Sequence, residues 1–473
     1  MSKSFIGLGK FSKNYFYIFG VVFFRSIKDC MIGFFVVNPQ SKTGLFGFAP
    51  LLSKHYLIQD FYKYIGYIIG GLLFSFILKK NTMNESDNDI KKKKSLQLKG
   101  LIYNPKKYDP HKVSIIELII VCSFYFIQIE TARILYSFDL SGVDFWIFDI
   151  VFIVLFMDLF FVMNYFKHQI YSLAFIIITN TILLLVSSFL ENSEDGKNTY
   201  QIIEEVTGNS YSFIFFIAIF ILISCLLSYS RVKSKVLMEF NYISPYKIIY
   251  YYGIIGAILT SIGLIFVTFK DCGIQKESSH KLCYVEKNYD NETKYYYDSF
   301  IIYFEELSHN YENNSLQFYL EILLVTPLYL VINFFEFTCE ILIIYYLNPN
   351  FLLIRENLYY FVVRLIFIIV NRNDFRKYLT LEQFFILQAS ELLALLGYLI
   401  YFEIIELRFC NLDKDLKRHI ANRGDRDSKN PQNPSTIKDN ENDNDNNSGS
   451  ESSESFIEEK ENNNDNEEEM ENV

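Results

Sequence analysis

Charged side chains recur inside apolar stretches that are long enough to cross a lipid bilayer. An ionisable group is costly in hydrocarbon, so each of these groups needs a partner or a function. The first apolar stretch has Arg25, Lys28 and Asp29 near its middle. Candidate residues for binding a small molecule come from this set of charges: Arg25, Lys28, Glu130, Arg133, Glu336, Glu340, Arg364, Glu391 and Glu403.

One interpretation makes these charges a polar path through the membrane. The cations would then bind an anionic substrate, and the glutamates would carry a coupling proton or balance the cations. The cations are Arg25, Lys28, Arg133 and Arg364, and the glutamates are Glu336, Glu340, Glu391 and Glu403.

A second interpretation makes the same charges structural ion pairs that fix helix packing. Lys28 is then an unpaired cation that faces the interior, and groups near helix ends reach the membrane interface. The expected pairs are Arg25 with Asp29, Glu130 with Arg133, and Arg364 with Glu336 or Glu391, whereas Glu321, Glu406 and Asp149 are the groups at the interface.

Residue types that carry enzyme chemistry do not cluster in this sequence. The seven cysteines are scattered without a CxxC or other metal-type spacing, and the six histidines fall near helix ends, in loops or in the tail. No catalytic residue, metal site or cofactor is therefore expected, and the protein is not expected to be an enzyme. The net charge of −10 comes mostly from the C-terminal tail, and no nucleic acid partner is expected.

Hydropathy and length predict about ten membrane-spanning helices. They lie near 14–37, 57–79, 113–136, 145–164, 169–190, 211–229, 246–269, 318–346, 351–371 and 382–407. An acidic linker, 191–210, separates a first half, 1–190, from a second half, 211–423, and an odd number of helices in each half inverts the second half. The expected fold is an all-α membrane protein with two inverted five-helix halves and a disordered acidic tail at 424–473.

Lysine and arginine in the connecting segments orient the chain across the membrane. The basic loop 80–112 and both termini are expected in the cytosol, at an endomembrane of the Golgi or endoplasmic reticulum or at the plasma membrane. A further basic cytosolic flank consists of Arg231, Lys233 and Lys235.

The connecting segment 271–316 is then expected on the luminal or extracellular side. Cys272 and Cys283 are candidates for a disulfide in that compartment. Asn291 and Asn313 begin sequons and are candidates for glycosylation.

The start of the seventh helix has a capping signal followed by small residues. Ser244 directly precedes Pro245, a pair typical of the N-cap and first position of a helix. Gly253 and Gly256 are interpreted as packing positions, because small residues let helix backbones approach each other in a membrane. Gly263 is interpreted in the same way, and a hinge is the alternative role.

The segment 236–256 resembles the drug/metabolite transporter superfamily, on its EamA-like and nucleotide-sugar-transporter-like side. The shared pattern is Met238-Glu239, Ser244-Pro245 and Tyr252-Gly253-Ile254-Ile255-Gly256. The end of the second half, from Gly397 to Cys410, also resembles a set of uncharacterised protist and fungal multi-pass membrane proteins. The resemblance implies ten helices, two inverted halves and alternating access to a central cavity. The charged first helix and the long basic loop depart from that pattern.

Two functions are carried forward. The first is a secondary transporter of a small anionic metabolite, such as a nucleotide sugar or an organic anion, with a substrate site near the bilayer midplane. The second is a non-transporting membrane scaffold or receptor that acts through the basic loop and the tail. The expected partners are the lipid bilayer, a small-molecule substrate and, as a candidate, a second copy of the chain.

Overall fold

Long helices follow the apolar runs of the sequence, so the expected mostly helical fold is confirmed. The computed structural model describes residues 6–8, 13–33, 51–82, 113–137, 148–161, 165–190, 201, 204, 212–268, 285–289, 292–297, 299–313, 315–370 and 381–407. These residues belong to one unit, Met1–Ile420, and the second unit, Ala421–Val473, lies outside the described ranges.

The helices in the described ranges are α1 (Phe16–Gly33), α2 (Tyr56–Thr82), α3 (Ile115–Ser137), α4 (Asp149–Phe160), α5 (Lys167–Leu190), α6 (Ser212–Glu239), α7 (Pro245–Val267), α8 (Phe300–Asn313), α9 (Ser315–Leu320), α10 (Thr326–Tyr346), α11 (Leu352–Val370) and α12 (Leu381–Tyr401). A π-helical segment, Glu321–Val325, joins α9 to α10, and a short 3-10 turn, Leu51–Lys54, precedes α2.

Four short strands complete the described structure. β1 (Ile6–Leu8) pairs antiparallel with β4 (Ile405–Leu407), so the first and last described segments meet at one end of the helix bundle. We call this the terminal end, and we call the opposite end the distal end. β2 (Val285–Tyr289) and β3 (Glu292–Tyr296) form a hairpin. The connecting segment 271–316 therefore contains a hairpin and all of α8, which the sequence did not predict.

Within the described ranges, five helical stretches are long and apolar enough to cross a membrane. They are Ile115–Ala132, Phe213–Glu239, Pro245–Val267, Ser315–Tyr346 and Phe384–Tyr401. The exposed side chains along them are mostly large and apolar, as expected for surfaces that face lipid.

Contacts at the terminal end show how the helices are directed. The rings of Tyr17 and Tyr346 stack with their centroids 5.7 Å apart. Lys235 Nζ donates a hydrogen bond of 2.6 Å to the carbonyl of Tyr345. The start of α1 therefore lies beside the ends of α6 and α10. Phe74 near the end of α2 stacks on a ring at the start of α7, with centroids 5.5 Å apart, at the same end.

Each long helix packs along one or more specific neighbouring helices. α2 packs along α7, and α5 packs along α12. α1 packs on α10 and α11, and α6 packs on α3 and α4. α2 also packs on α10, and α7 packs on α3. The core between these helices is rich in aromatic rings, such as those of Tyr67 and Phe337, whose centroids lie 4.4 Å apart.

The predicted capping signal at the start of α7 is confirmed. Ser244 has extended dihedral angles, φ −64° and ψ 144°, and its Oγ accepts a hydrogen bond of 3.2 Å from the Lys247 backbone N–H. Pro245 occupies the first helical position, where its missing N–H has no cost. The cap ends the turn that follows α6 and fixes where α7 begins.

Glycines bring the backbones of α2 and α7 together. A Cβ atom at Gly253 would lie 2.7 Å from the Ile68 backbone nitrogen, and one at Gly256 would overlap the ring of Tyr64. A Cβ at Gly263 would meet nothing within 4 Å, so the packing role proposed for Gly263 is wrong. Spacing along a helix does not reveal which side of it the neighbour covers.

This difference gives a matched pair of variants. Gly253→Ala is expected to lower the free energy of unfolding by about 1–3 kcal/mol, because α2 must move to admit the new methyl group. Gly263→Ala should leave stability unchanged or raise it by up to about 1 kcal/mol, since alanine favours a helix. Unfolding of the purified variants in detergent measures both changes, and equal effects would contradict the close approach of α2 and α7.

Candidate functional site

A continuous chain of ion pairs crosses the bundle and links five helices. Arg25 Nη1 on α1 lies 2.6 Å from the Glu356 carboxylate on α11, and Glu356 also binds its neighbour Arg355. Arg355 Nη1 lies 2.8 Å from Glu340 on α10. We call this set the ion-pair chain, and its members in order are Arg25, Glu356, Arg355, Glu340, Arg231 and Asp149.

The second part of the ion-pair chain is centred on Arg231 of α6. Its Nη2 lies 3.3 Å from Glu340 Oε1, and its Nη1 lies 2.8 Å from Asp149 Oδ2. Asp149 is the first residue of α4, where the positive end of the helix dipole favours a carboxylate. Arg231 therefore joins α4 to α10.

Most members of the ion-pair chain are almost completely buried. Residue exposures are 1% for Asp149, 3% for Arg231, 4% for Arg355 and 1% for Glu356. Three guanidinium groups alternate with three carboxylates, so the formal charges cancel. Removing one partner of such a set leaves an uncompensated buried charge, which costs about 3–5 kcal/mol.

The ion-pair chain lies nearer the terminal end than the distal end. At 1.5 Å per residue, Glu340 lies about 9 Å from the end of α10 at Tyr346. Arg231 lies about 12 Å from the end of α6, and Arg25 about 14 Å from the start of α1. A group at this depth is inside the bundle but short of its centre.

The other charges of α1 also find partners across the bundle. Lys28 forms an ion pair with Glu336 of α10, so its assignment as an unpaired cation is wrong. The hydroxyl of Tyr359 on α11 donates a hydrogen bond to Asp29, and the Arg25 guanidinium lies 4.1 Å from the centre of the same ring. Arg25 and Asp29, predicted to pair within α1, thus both have partners on α11.

The cations at the end of α6 are buried rather than exposed to solvent. Lys233 and Lys235 are 4% and 2% exposed, because α6 continues to Glu239 and keeps them within the bundle. Lys233 pairs with Glu117 on α3, and Lys235 Nζ lies 2.7 Å from Glu239. These cations therefore tie helix ends together instead of forming a solvated flank.

The remaining sequence-predicted candidates lie apart from the ion-pair chain or outside the described residues. Glu130 is half-buried on α3, and Glu391 is 1% exposed on α12. The side chains of Arg133 and Arg364 are not among those described, although both residues lie in helices. The candidates Cys272, Cys283 and Asn291 lie outside the described residues, and Asn313 is the last residue of α8.

The prediction that Glu403 lies within the last membrane helix, 382–407, is wrong. α12 ends at Tyr401, and Glu403 adopts a left-handed backbone conformation with φ 59° before β4 begins. Its Oε1 lies 3.2 Å from Nε2 of His168, a buried residue at the start of α5. The sharp turn redirects the chain from the helix into the strand that pairs with β1.

Glu321 is likewise buried, and its carboxylate is bound within the bundle. Its carboxylate accepts hydrogen bonds of 2.9 Å and 2.8 Å from the backbone N–H groups of Leu51 and Leu52. It lies in the π-helical segment before α10, and π-helical turns are frequent at functional sites. Glu321 thus fastens the start of α2 to the start of α10 at the distal end.

Glu321→Ala is expected to lower the free energy of unfolding by about 1–3 kcal/mol for each backbone donor that loses its acceptor. The matched control is Glu312→Ala, which removes an exposed carboxylate from α8 and should change stability by less than about 0.5 kcal/mol. Both values can be measured by thermal unfolding in detergent. Similar values for the two variants would contradict a stabilising role for the Glu321 hydrogen bonds at the distal end.

Four members of the ion-pair chain were not predicted from the sequence. Arg231 was assigned to a flank and Asp149 to the interface, and Arg355 and Glu356 were not singled out. The adjacent Arg355 and Glu356, six residues after Pro349 and inside an apolar run, were the available signal. Their partners lie on other helices and cannot be read from local sequence.

The residue types of the site favour ionic recognition. No group of three or more histidine, cysteine, aspartate or glutamate side chains suited to a metal occurs in the part of the chain that the structure describes. Guanidinium groups bind carboxylates and phosphates through two parallel hydrogen bonds, and this is the chemistry that the ion-pair chain offers.

Comparisons with known protein families, with curated proteins and with solved structures gave no match to this chain. The resemblance of segment 236–256 to drug/metabolite transporters therefore stays a prediction that rests on those residues.

Proposed function

We propose that the protein is a multi-pass membrane transporter that moves a small anionic metabolite by alternating access between two inverted five-helix halves. The first half would be α1 to α5, and the second would be α6, α7, α10, α11 and α12. Inverted repeats of this kind build a substrate site at the interface between the halves.

The packing pattern is the observation that carries this proposal. In chain order, the counterparts are α1 and α6, α2 and α7, α3 and α10, α4 and α11, and α5 and α12. Exchanging each helix for its counterpart converts the packed pair of α1 and α10 into that of α6 and α3. It converts the pair of α1 and α11 into that of α6 and α4. It also converts α2 on α10 into α7 on α3, and it leaves α2 on α7 and α5 on α12 unchanged. Each resulting pair is a packed pair of the structure. A pseudo-twofold axis between the halves would account for this correspondence.

The ion pairs follow the same exchange. Arg25 of α1 pairs with Glu356 of α11, and Arg231 of α6 pairs with Asp149 of α4. Both pairs cross from one half to the other. Ion pairs at the interface between two moving halves can stabilise one arrangement of the halves and exchange partners in another.

The terminal end would face the cytosol in this proposal. The basic loop 80–112 connects the end of α2 to the start of α3 at that end, and basic loops remain on the cytosolic side. Both termini and the acidic tail at 424–473, proposed to be disordered, would share that side. Segment 271–316, with its disulfide and glycosylation candidates, would face the lumen or the cell exterior.

Transport can be tested with the full-length protein reconstituted into liposomes. Saturable uptake of one class of labelled anion, chosen from nucleotide sugars, sugar phosphates and organic acids, is the expected result. Protein-free liposomes and liposomes with heat-inactivated protein are the controls. Absence of uptake for every class, with protein that remains folded and monodisperse, would overturn the proposal.

A membrane scaffold is the second candidate, and the connections at both ends of the bundle favour it. Glu321 links the halves at the distal end, and Lys233 with Glu117 links them near the terminal end. Permanent connections would prevent alternating access. Disulfide cross-linking of paired cysteines across either end separates the candidates, because it should stop a transporter and leave a scaffold functional.

A further inference from the structure

Two arginines of the ion-pair chain each keep one buried donor that no acceptor among the described residues binds. Arg231 uses Nη1 and Nη2 on Asp149 and Glu340, and Arg355 uses the same two nitrogens on Glu340 and Glu356. Within the described part of the chain, neither Arg231 Nε nor Arg355 Nε has a hydrogen-bond acceptor, and both atoms are buried.

Such donors are unusual in a folded protein. Buried polar groups are nearly always hydrogen-bonded, and an unpartnered group at a buried site can mark a binding function. Arg231 and Arg355 are only 3% and 4% exposed, so their guanidinium groups are shielded from bulk solvent. The two arginines also flank the same carboxylate, that of Glu340, so their open donors belong to one region of the bundle.

The geometry of arginine indicates what these donors accept. Nε–H and the neighbouring Nη–H point in parallel, and together they match two oxygens of a carboxylate or a phosphate. A lysine offers a point charge and lacks this planar pair of donors. An oxyanion is therefore the ligand group that Nε–H complements.

The contact from Arg231 to Glu340 is the longest in the ion-pair chain, at 3.3 Å. An incoming oxyanion could accept hydrogen bonds from this Nη2 and from the open Nε–H, while Nη1 keeps its bond to Asp149. Glu340 would retain Arg355 as a partner at 2.8 Å. Arg231 would lose its long contact to Glu340, and the ligand would receive two hydrogen bonds in return.

We propose that Arg231 and Arg355 form an oxyanion site beside Glu340, where a carboxylate or phosphate group of a ligand binds to their Nε–H donors. This inference rests on the proposed transport function, since it names the group by which an anionic substrate is recognised. In this proposal, Arg231 and Arg355 are the principal anion-binding cations, in place of Lys28 and Arg25. The charges of Lys28 and Arg25 are engaged by Glu336 and Glu356.

Binding can be measured without transport. The full-length protein in detergent is heated with inorganic phosphate, sulfate, acetate or malonate, each compared with chloride at equal ionic strength. A ligand that binds the folded state raises the unfolding temperature in a concentration-dependent way. Phosphate and carboxylate are expected to raise it above the chloride reference, and their relative effects identify which oxyanion class the site prefers.

Conservative variants locate the effect. Arg231→Lys and Arg355→Lys keep the positive charge but lose the planar donor pair, so each should weaken the apparent affinity at least tenfold. Lys63→Gln removes a buried cation that pairs with Asp60 on α2 at 3.0 Å, outside the ion-pair chain, and should leave the affinity within twofold. Glu340→Gln removes the competing carboxylate with little change of shape, so it should increase the affinity.

The outcomes separate this site from the transport function. No oxyanion response in folded protein, or equal loss of response in all four variants, would overturn the site. Saturable uptake by liposomes without any oxyanion response of the folded protein would overturn the site and leave transport standing. An oxyanion response that the two arginine variants abolish, without uptake in liposomes, would support the site and overturn transport.

Discussion

Glu356→Ala is expected to lower the free energy of unfolding by about 3–5 kcal/mol, because it removes one carboxylate from a buried set of ion pairs. Glu356 is 1% exposed and binds both Arg25 and Arg355. Its removal leaves two guanidinium groups near one another in the bundle with one carboxylate fewer. Thermal and chemical unfolding in detergent measure the loss, and abundance in the membrane should fall with it.

Two further variants identify the cause. Glu239→Ala removes a carboxylate that is less buried than that of Glu356 and whose partner, Lys235, keeps its hydrogen bond to the Tyr345 carbonyl, so a smaller loss than that of Glu356→Ala is expected. The double variant of Arg25→Gln with Glu356→Gln restores charge balance and should recover part of the stability lost in Glu356→Gln alone. Losses that simply add would show that the two side chains are not coupled.

Reversing either charge of the pair between Lys28 and Glu336 is expected to cost several kcal/mol, because like charges then meet between α1 and α10. The two side chains are 19% and 15% exposed, so water screens them only in part. Lys28→Glu and Glu336→Lys should each reduce abundance several-fold. The double reversal re-forms the pair and should restore abundance.

The same series distinguishes a structural pair from a substrate-binding cation. If Lys28 only holds α1 against α10, the double reversal restores abundance and transport together. If Lys28 also binds substrate, abundance returns without transport, and Lys28→Gln abolishes transport at nearly normal abundance. Reduced abundance in the double variant would contradict the contact between Lys28 and Glu336.

Local signals in the sequence predicted the helical elements well. The hydroxyl and proline at Ser244 and Pro245 fixed the start of α7, because capping depends on neighbouring residues alone. Apolar runs located most of the helices, although α8 was missed and the last predicted helix was extended past Tyr401 through β4. The apolar Ile404 and Ile405 continue the hydrophobic pattern and hide the turn at Glu403.

The candidate site was only partly predictable, because ion pairs between helices leave no local trace. Arg25 and Lys28 were identified from their place in an apolar run, yet the partner of Arg25 is 331 residues away in sequence. Arg231 precedes two lysines and looked like the solvated end of a helix. Only the continued packing of α6 places it inside the bundle.

The long separation within the pair of Arg25 and Glu356 has a consequence for biogenesis. Arg25 leaves the ribosome 331 residues before its partner, which at about 5–20 residues per second is a delay of roughly 20–60 s. Throughout that time α1 carries Arg25, Lys28 and Asp29 without the helices that bind them. If α1 spans the membrane as proposed, the nascent helix would have to wait at the membrane interface or beside the insertion machinery. The synthesis of α10 and α11, near the end of translation, would determine when the first helix can settle into the bilayer.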